Sequence, residues 1–145
     1  MFIKRCLTLT MIKKYLVLII ITAGIFSCNS DKKKEPVTDL EVANAFVRDL
    51  LDNKFEEAEK FLLKDETNNE MFKRFKQKYS QQDKAVLEQY QKADIKVNET
   101  SYVTDSVFIY NYSNSYSPDA KTVLKLVRIN NKWLVDLKYT FSGNL

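Results

Sequence analysis

Apolar side chains recur at three- and four-residue intervals between residues 37 and 91, which is the spacing of helices that bury one face. Thr38 and Glu41 have the spacing of a capping box, so we predict a first helix that begins there and ends at Asp52-Asn53. Thr67 and Glu70 have the same spacing and predict the start of a third helix. The predicted apolar faces are Val42, Ala43, Phe46, Val47, Leu50 and Leu51; Phe55, Ala58, Phe61 and Leu62; Met71, Phe72, Phe75 and Tyr79; and, after a polar break at residues 80–84, Ala85, Val86, Leu87 and Tyr90.

After Asp94 the period of the pattern changes to two, and β-branched and aromatic residues become frequent. This pattern predicts four strands, at residues 95–102, 107–116, 122–129 and 132–141. Asparagine, aspartate, serine and proline stand between the strands and predict turns there. Helices followed by a run of strands predict an α+β domain with an antiparallel sheet.

The last two predicted strands have a register that explains both of their faces. If Asn130 and Asn131 form a two-residue turn, one face of the hairpin is apolar. We therefore predict that Trp133 is buried where the sheet meets the first helix, near Phe46 or Leu50. Asp136 is then a solvated cross-strand partner rather than a catalytic acid. The predicted pairs are Arg128 with Trp133, Leu126 with Val135 and Leu124 with Leu137 on the apolar face, and Val127 with Leu134 and Lys125 with Asp136 on the other.

The first 27 residues have the pattern of a secretory signal. Lys13 and Lys14 precede an apolar run at residues 15–26, and the small residue Ser27 stands directly before Cys28. The apolar run has 12 residues, whereas about 20 are needed to span a bilayer. We therefore predict a cleaved signal peptide at residues 1–27. Met11 offers a second start, which would place the two lysines at the amino end of the signal.

The residues Ile25-Phe26-Ser27-Cys28 resemble the lipobox of bacterial lipoproteins. The resemblance implies that the Cys28 thiol receives a diacylglyceryl group and that the signal is cut before this residue. Residues 28–36 would then form a lipidated tether, and acyl chains on Cys28 would bind the membrane. Because Asn29 stands where an aspartate would retain such a protein in the inner membrane, the resemblance implies the outer membrane. Its periplasmic and outer faces both stay open.

Composition narrows the chemistry of the mature chain. Four of the 23 basic residues lie in the first 27, which hold no acidic residue, so 19 basic and 19 acidic residues remain. Nucleic-acid binding needs a basic stripe, and we expect no nucleic-acid partner. Histidine is absent, Cys28 is the one cysteine after the signal, and the two glycines are Gly24 and Gly143. Histidine-dependent catalysis, thiolate sites and glycine-rich phosphate loops are therefore excluded, and we expect no metal and no cofactor.

The helix that leads through Asp52-Asn53-Lys54-Phe55 into Glu56-Glu57-Ala58, with a terminal hairpin at residues 124–135, resembles small lipoproteins of Gram-negative bacteria. These lipoproteins are of the cystatin-like or nuclear-transport-factor-2-like type, often known as domains of unknown function. The resemblance implies one α+β domain at residues 37–145, with N-terminal helices packed on a curved antiparallel sheet of about four strands. It also implies a cone-shaped pocket. Because this fold hosts enzymes, binders and dimerisation modules, it does not supply the function.

Tyrosine is enriched in the predicted strands, where it either packs the sheet or lines a ligand site. The candidate ligand-binding residues are Tyr102, Tyr110, Tyr112 and Tyr139. We expect Tyr110 and Tyr112 to point outward, because the small residues between and after them, Asn111 and Ser113, could line a narrow cavity. Any ligand pocket would lie between the helices and the concave face of the sheet.

These observations favour a non-catalytic, membrane-anchored binding or scaffolding module, and we predict that the protein is not an enzyme. Two alternatives stay open. One is a carrier or enzyme that uses the cone for a small apolar ligand, and the other is an inhibitor or immunity-type protein that presents an edge strand. Besides the membrane, the expected partners are an envelope protein or a glycan, and a homodimer is a further expectation.

Replacing Cys28 by serine removes the thiol that would carry the thioether. We expect Cys28→Ser to accumulate as an uncleaved or soluble precursor that does not incorporate a palmitate analogue, as measured by metabolic labelling and membrane fractionation. Ser27→Ala keeps a small residue before the cysteine and should label like the wild type. A mature-sized Cys28→Ser protein that still partitions with membranes would contradict the lipoprotein prediction.

Overall fold

A computed structural model of the protein describes residues 35–141. The predicted signal peptide, Cys28 and most of the tether lie outside these residues. Five helices, a 3₁₀ turn and four strands follow one another: α1 (Asp39–Leu51), α2 (Phe55–Ala58), the 3₁₀ turn (Glu59–Phe61), α3 (Glu66–Ser80), α4 (Lys84–Lys92), β1 (Ile95–Thr104), β2 (Val107–Asn114), β3 (Thr122–Ile129), β4 (Lys132–Asp136) and α5 (Leu137–Phe141). The α+β class is confirmed, with helices followed by a four-stranded antiparallel sheet in the order β1-β2-β3-β4. Within residues 35–141, no helix has both the length and the apolar character to cross a membrane.

Helix α1 begins and ends where the sequence predicts. The Thr38 hydroxyl accepts a hydrogen bond from the Glu41 amide at 3.2 Å, and the Glu41 carboxylate accepts one from the Thr38 amide at 3.0 Å. The capping box is therefore confirmed. At the other end Asp52 is the C-cap, and Asn53 takes a left-handed conformation (φ 62°) that stops the helix. The predicted apolar face is buried in full: Val42, Ala43, Phe46, Val47, Leu50 and Leu51.

The core lies between α1 and the inner face of the sheet. Trp133 is buried, as predicted; its ring lies 6.4 Å from that of Phe108, and the Arg128 guanidinium lies 5.4 Å from the centre of the indole. Burying a large apolar side chain contributes about 1.5–3 kcal/mol to stability. The inner face of the sheet is formed by Phe108, Tyr110, Leu124, Leu126, Trp133 and Val135.

Four of the five predicted pairs between β3 and β4 are present, so the predicted register is confirmed along the length of β4. Arg128 is paired with Trp133, Leu126 with Val135, and Lys125 with Asp136. Asn130 and Asn131 both have positive φ, 49° and 63°. A two-residue turn with this geometry matches the right-handed twist of the strands, and asparagine tolerates it better than most residues.

The predicted fourth strand at residues 132–141 is too long. It ends at Asp136, and Leu137 begins α5 instead of pairing with Leu124. The Leu137 amide donates to Oδ1 of the buried Asn68 at 2.8 Å. This amide therefore bonds to a side chain on α3 instead of to a neighbouring strand. Asp136 pairs with Lys125 as predicted, at 3.5 Å, but it is buried rather than solvated, and its carboxylate also accepts a hydrogen bond from the Lys138 amide of α5 at 3.2 Å.

The predicted capping box of Thr67 and Glu70 is wrong. Helix α3 begins at Glu66 with Asp65 as its N-cap, whose carboxylate accepts a hydrogen bond from the Asn68 amide at 2.9 Å. The predicted second helix is also split, into α2 and the 3₁₀ turn. After this turn Leu62 forms a parallel bridge with Val135, and the Leu63 amide donates to the Val135 carbonyl at 2.9 Å. This segment covers the outer edge of β4.

Asp65 joins the start of α3 to α5. Its second carboxylate oxygen accepts hydrogen bonds from Lys138 Nζ and from the Asn68 side-chain amide, each at 2.8 Å. The hydrogen bond from Lys138, with that from the Asn68 backbone, lowers the pKa of Asp65 to about 2, from an ordinary value of 3.8. Because the ionised form is favoured in the folded protein, Asp65 stabilises the fold above its unfolded pKa. This contribution is lost as the pH falls through about 2.

Asp65→Asn keeps an N-cap side chain but removes the negative charge beside Lys138. We expect the variant to have a lower free energy of unfolding than the wild type at pH 7, with the difference shrinking from about pH 4 to about pH 2. Urea denaturation followed by the fluorescence of the single tryptophan, Trp133, measures it. Asp105→Asn, in the exposed β1–β2 turn, is the charge-matched control. A difference between wild type and Asp65→Asn that does not change with pH would refute the assignment.

Candidate functional site

An open cleft of about 620 Å³ lies between α1, α3 and α4 and the ends of β2 and β3. This position, between helices and sheet, is where the sequence predicts any pocket. A smaller cavity of about 140 Å³ adjoins the cleft, because Leu50, Phe75, Tyr112 and Thr122 line both. The apolar and aromatic side chains that line the cleft are Val47, Leu50, Leu51, Met71, Phe75, Tyr79, Tyr90, Tyr112 and Ala120.

Aromatic rings connect the walls of the cleft. The ring of Phe75 lies 6.0 Å from that of Tyr79, which lies 5.9 Å from Tyr90 on α4. Tyr90 in turn meets Tyr116 edge to face at 5.1 Å. The Tyr79 hydroxyl donates to the carbonyl of Leu51 at 3.3 Å, and burial raises the pKa of this phenol. The aromatic side chains thus hold α3 and α4 beside α1 and form one apolar wall.

Helix α4 is fixed in place by Arg48. None of the nine residues of α4 is fully buried, so the partly buried side chains Leu87 and Tyr90 provide its apolar contacts with the core. Arg48 Nη1 donates to the carbonyl of Ala93 at 2.7 Å, and Nη2 donates to that of Gln91 at 3.1 Å. A cation here satisfies the free carbonyls and the negative end of the helix dipole. Asp52, 2.8 Å from Nη2, orients the guanidinium.

Tyr110 and Tyr112 point inward, and the expectation that they point outward is wrong. Alternate residues of a strand lie on the same face of the sheet, and Phe108 is buried on the inner face. Tyr110 and Tyr112 therefore lie on the inner face as well. Tyr110 is fully buried, and its hydroxyl donates to Asn44 Oδ1 at 2.6 Å. The two tyrosine rings are stacked with centres 5.7 Å apart.

The buried phenols remain neutral at physiological pH. Burial raises the pKa of both Tyr110 and Tyr112 to about 12. The Tyr112 hydroxyl is hydrogen-bonded to the Thr122 side chain, and both residues line the cleft. Tyr112 is therefore the one of the four predicted tyrosines that the described part of the chain places at the cleft surface.

The other two predicted site residues lie elsewhere. Tyr102 is 62% exposed on β1; its ring contacts Phe108 at 5.0 Å, and its hydroxyl donates to the Asp39 carboxylate. Tyr139 lies on α5 rather than in a strand, and it is not among the residues that line the cleft. The four tyrosines therefore do not form one site.

Two cations, Arg74 and Lys78, line the cleft and were not among the predicted site residues. They follow the same face of α3 as Met71, Phe75 and Tyr79, because residues three and four apart are neighbours on a helix. Their signal in the sequence is this spacing, since a basic residue occupies two positions of an otherwise apolar stripe. Both side chains are exposed, which places them at the rim rather than the floor.

The cleft lining has the chemistry of a binding surface. Its polar side chains are Arg74, Lys78, Gln82, Asn114, Ser117 and Thr122, together with the tyrosine hydroxyls, and it includes no carboxylate of the described residues. Over the same part of the chain, no three acidic side chains are grouped so that they could hold a metal ion. Such a surface can bury apolar groups and offer hydrogen bonds and positive charge.

No protein-family model, curated protein sequence or solved structure matches the chain.

Tyr110→Phe removes the hydroxyl that pairs with Asn44 and leaves its acceptor without this partner. We expect the free energy of unfolding to fall by about 1 kcal/mol. Tyr116→Phe removes a hydroxyl from a ring that is 43% exposed and should change the free energy of unfolding by less than about 0.5 kcal/mol. Urea denaturation measures both variants, and equal effects at the two positions would contradict the inward orientation of Tyr110.

Proposed function

We propose that the protein is a membrane-anchored envelope lipoprotein that acts as a non-catalytic binding module, with the cleft as its ligand site. The observation that carries this proposal is the cleft of about 620 Å³, whose walls are aromatic and aliphatic and whose rim is polar. Sites for small molecules have volumes of about 300–1,000 Å³ and combine an apolar lining with a few polar groups. The ligand is thus small and predominantly apolar.

The proposal joins this site to a lipid anchor. Acyl chains on Cys28 hold the protein at the outer membrane, and two or three chains bind far more firmly than one. The support for the anchor is the signal and lipobox pattern at residues 13–28. We also assign the domain to the cystatin-like or nuclear-transport-factor-2-like type. This assignment is supported by the order of helices before an antiparallel sheet and by a cleft between the two layers.

A second candidate function, an inhibitor or immunity-type protein, is favoured by strand β1. This strand is paired on one side, with β2, and nine of its ten residues are exposed. They include the apolar side chains Val97 and Val103. An unpaired strand edge can bind an extended segment of another protein through its backbone.

The cleft can be tested by filling it. Ala120 lines the cleft from the β2–β3 loop, whereas Ala85 is exposed on α4 and is not part of the lining. The full chain is placed in phosphatidylcholine vesicles and photolabelled with a neutral methyl ester of a 12-carbon acid that carries a diazirine. We expect labelling of peptides that contain cleft residues, such as 71–82, because the apolar chain binds there.

Ala120→Trp should reduce this labelling several-fold, and Ala85→Trp, which adds the same side chain outside the cleft, should leave it unchanged. Mass spectrometry of the labelled peptides measures the yield at each site. Labelling that is spread evenly over the chain, or that Ala120→Trp does not reduce, would refute a ligand site in the cleft.

A further inference from the structure

The rim of the cleft carries positive charge that the described residues leave largely unneutralised. Arg74 Nη2 lies 3.4 Å from Glu70 Oε2, in a pair whose two side chains are 72% and 63% exposed. Exposed pairs of this kind are weak and are easily exchanged for another anion. Lys78 has no ion-pair partner among residues 35–140. No acidic side chain of the described chain lines the cleft beside these two cations.

The two cations stand next to each other on a face that is otherwise apolar. Arg74 and Lys78 are four residues apart on α3, so their side chains project from the same side of the helix one turn apart. Like charges at this spacing repel each other and slightly destabilise the helix. An anion bound between them would relieve this repulsion. Phe75 and Tyr79, on the same face, lead from the cations to the apolar floor of the cleft.

The cleft also has an apolar part, formed by buried side chains and by the cavity that adjoins it. Leu50 and Leu51 are buried in the lining, and Leu50, Phe75 and Tyr112 also line the adjoining cavity of about 140 Å³. That cavity is lined mostly by apolar side chains, including Phe46, Phe72 and Leu124. The site thus combines a charged rim with an apolar interior.

We infer that the cleft binds a single-chain anionic amphiphile, with its carboxylate or phosphate between Arg74 and Lys78 and its alkyl chain on the apolar floor. This inference rests on the proposed binding function and specifies its ligand class. A guanidinium forms paired hydrogen bonds with a carboxylate or phosphate, and an ammonium group adds a point charge. The apolar chain supplies affinity through burial, and the cations select its headgroup.

The test compares two diazirine probes with the same 12-carbon chain, a free acid and its neutral methyl ester. The full chain in phosphatidylcholine vesicles is labelled at about pH 8.5, where the carboxylate is ionised. Arg74→Gln/Lys78→Gln removes both rim cations. Lys73→Gln/Lys132→Gln removes the same net charge from two exposed positions that do not line the cleft. Thermal melting confirms that the variants are folded.

In the wild type, the acid should label the cleft peptides about five-fold more strongly than the ester. Arg74→Gln/Lys78→Gln should reduce labelling by the acid to the level of labelling by the ester, and labelling by the ester should not change. The control variant should keep the wild-type ratio of acid labelling to ester labelling. Equal labelling by acid and ester in the wild type, or equal losses in both variants, overturns the assignment of the headgroup but leaves the cleft as an apolar site. If neither probe labels the cleft, the proposed binding function is overturned as well.

A third probe separates the two sources of such a ligand. A phosphatidic acid that carries the same diazirine in one of its two chains represents lipid from the bilayer. We expect it to label the cleft less than the single-chain acid, because the apolar cavity that adjoins the cleft is small, about 140 Å³, and a second alkyl chain would compete for it. Stronger labelling by the phosphatidic acid would overturn the single-chain assignment.

Discussion

Helix α1 lies with six buried apolar side chains against the inner face of the sheet, and this contact determines where the remaining elements can lie. Apolar burial is the main favourable term in folding, and each of the next three helices buries fewer apolar side chains than α1. Helix α4 has no fully buried residue and is attached to α1 through Arg48. The cleft is the space that remains between α1 and these less buried helices. A site of this kind therefore follows from an uneven distribution of apolar side chains among the helices.

Much of the fold could be predicted from local patterns. The alternation of apolar and polar residues in β3 predicted where this strand begins and ends. Asn130 and Asn131 predicted the hairpin register, because a two-residue turn leaves one way to pair the strands. The end of β4 could not be predicted, since residues 137–141 are as rich in apolar and aromatic residues as a strand. The hydrogen bond from Leu137 to Asn68 joins residues 69 positions apart, and no local pattern records it.

The candidate site was predictable in position but not in detail. Strand alternation assigns Phe108, Tyr110 and Tyr112 to one face, but apolar residues on both faces of β2 left the direction of that face open. The partner of Tyr110, Asn44, is 66 residues away on α1, and this bond settles the orientation. Arg74 and Lys78 were missed because their neighbours Phe75 and Tyr79 identify the helix face as core.

The chain has no glycine between Gly24 and Gly143, and within residues 35–141 the non-glycine left-handed positions are occupied by Asn53, Asn130 and Asn131. Glycine adds conformations to an unfolded chain, so a domain without it loses less entropy on folding. A β-branched residue at one of these three sites would strain the backbone, whereas glycine would relax the folded state and also enlarge the unfolded ensemble. Asparagine therefore suits these three sites, since it tolerates the left-handed conformation in the folded state and adds fewer conformations than glycine to the unfolded state.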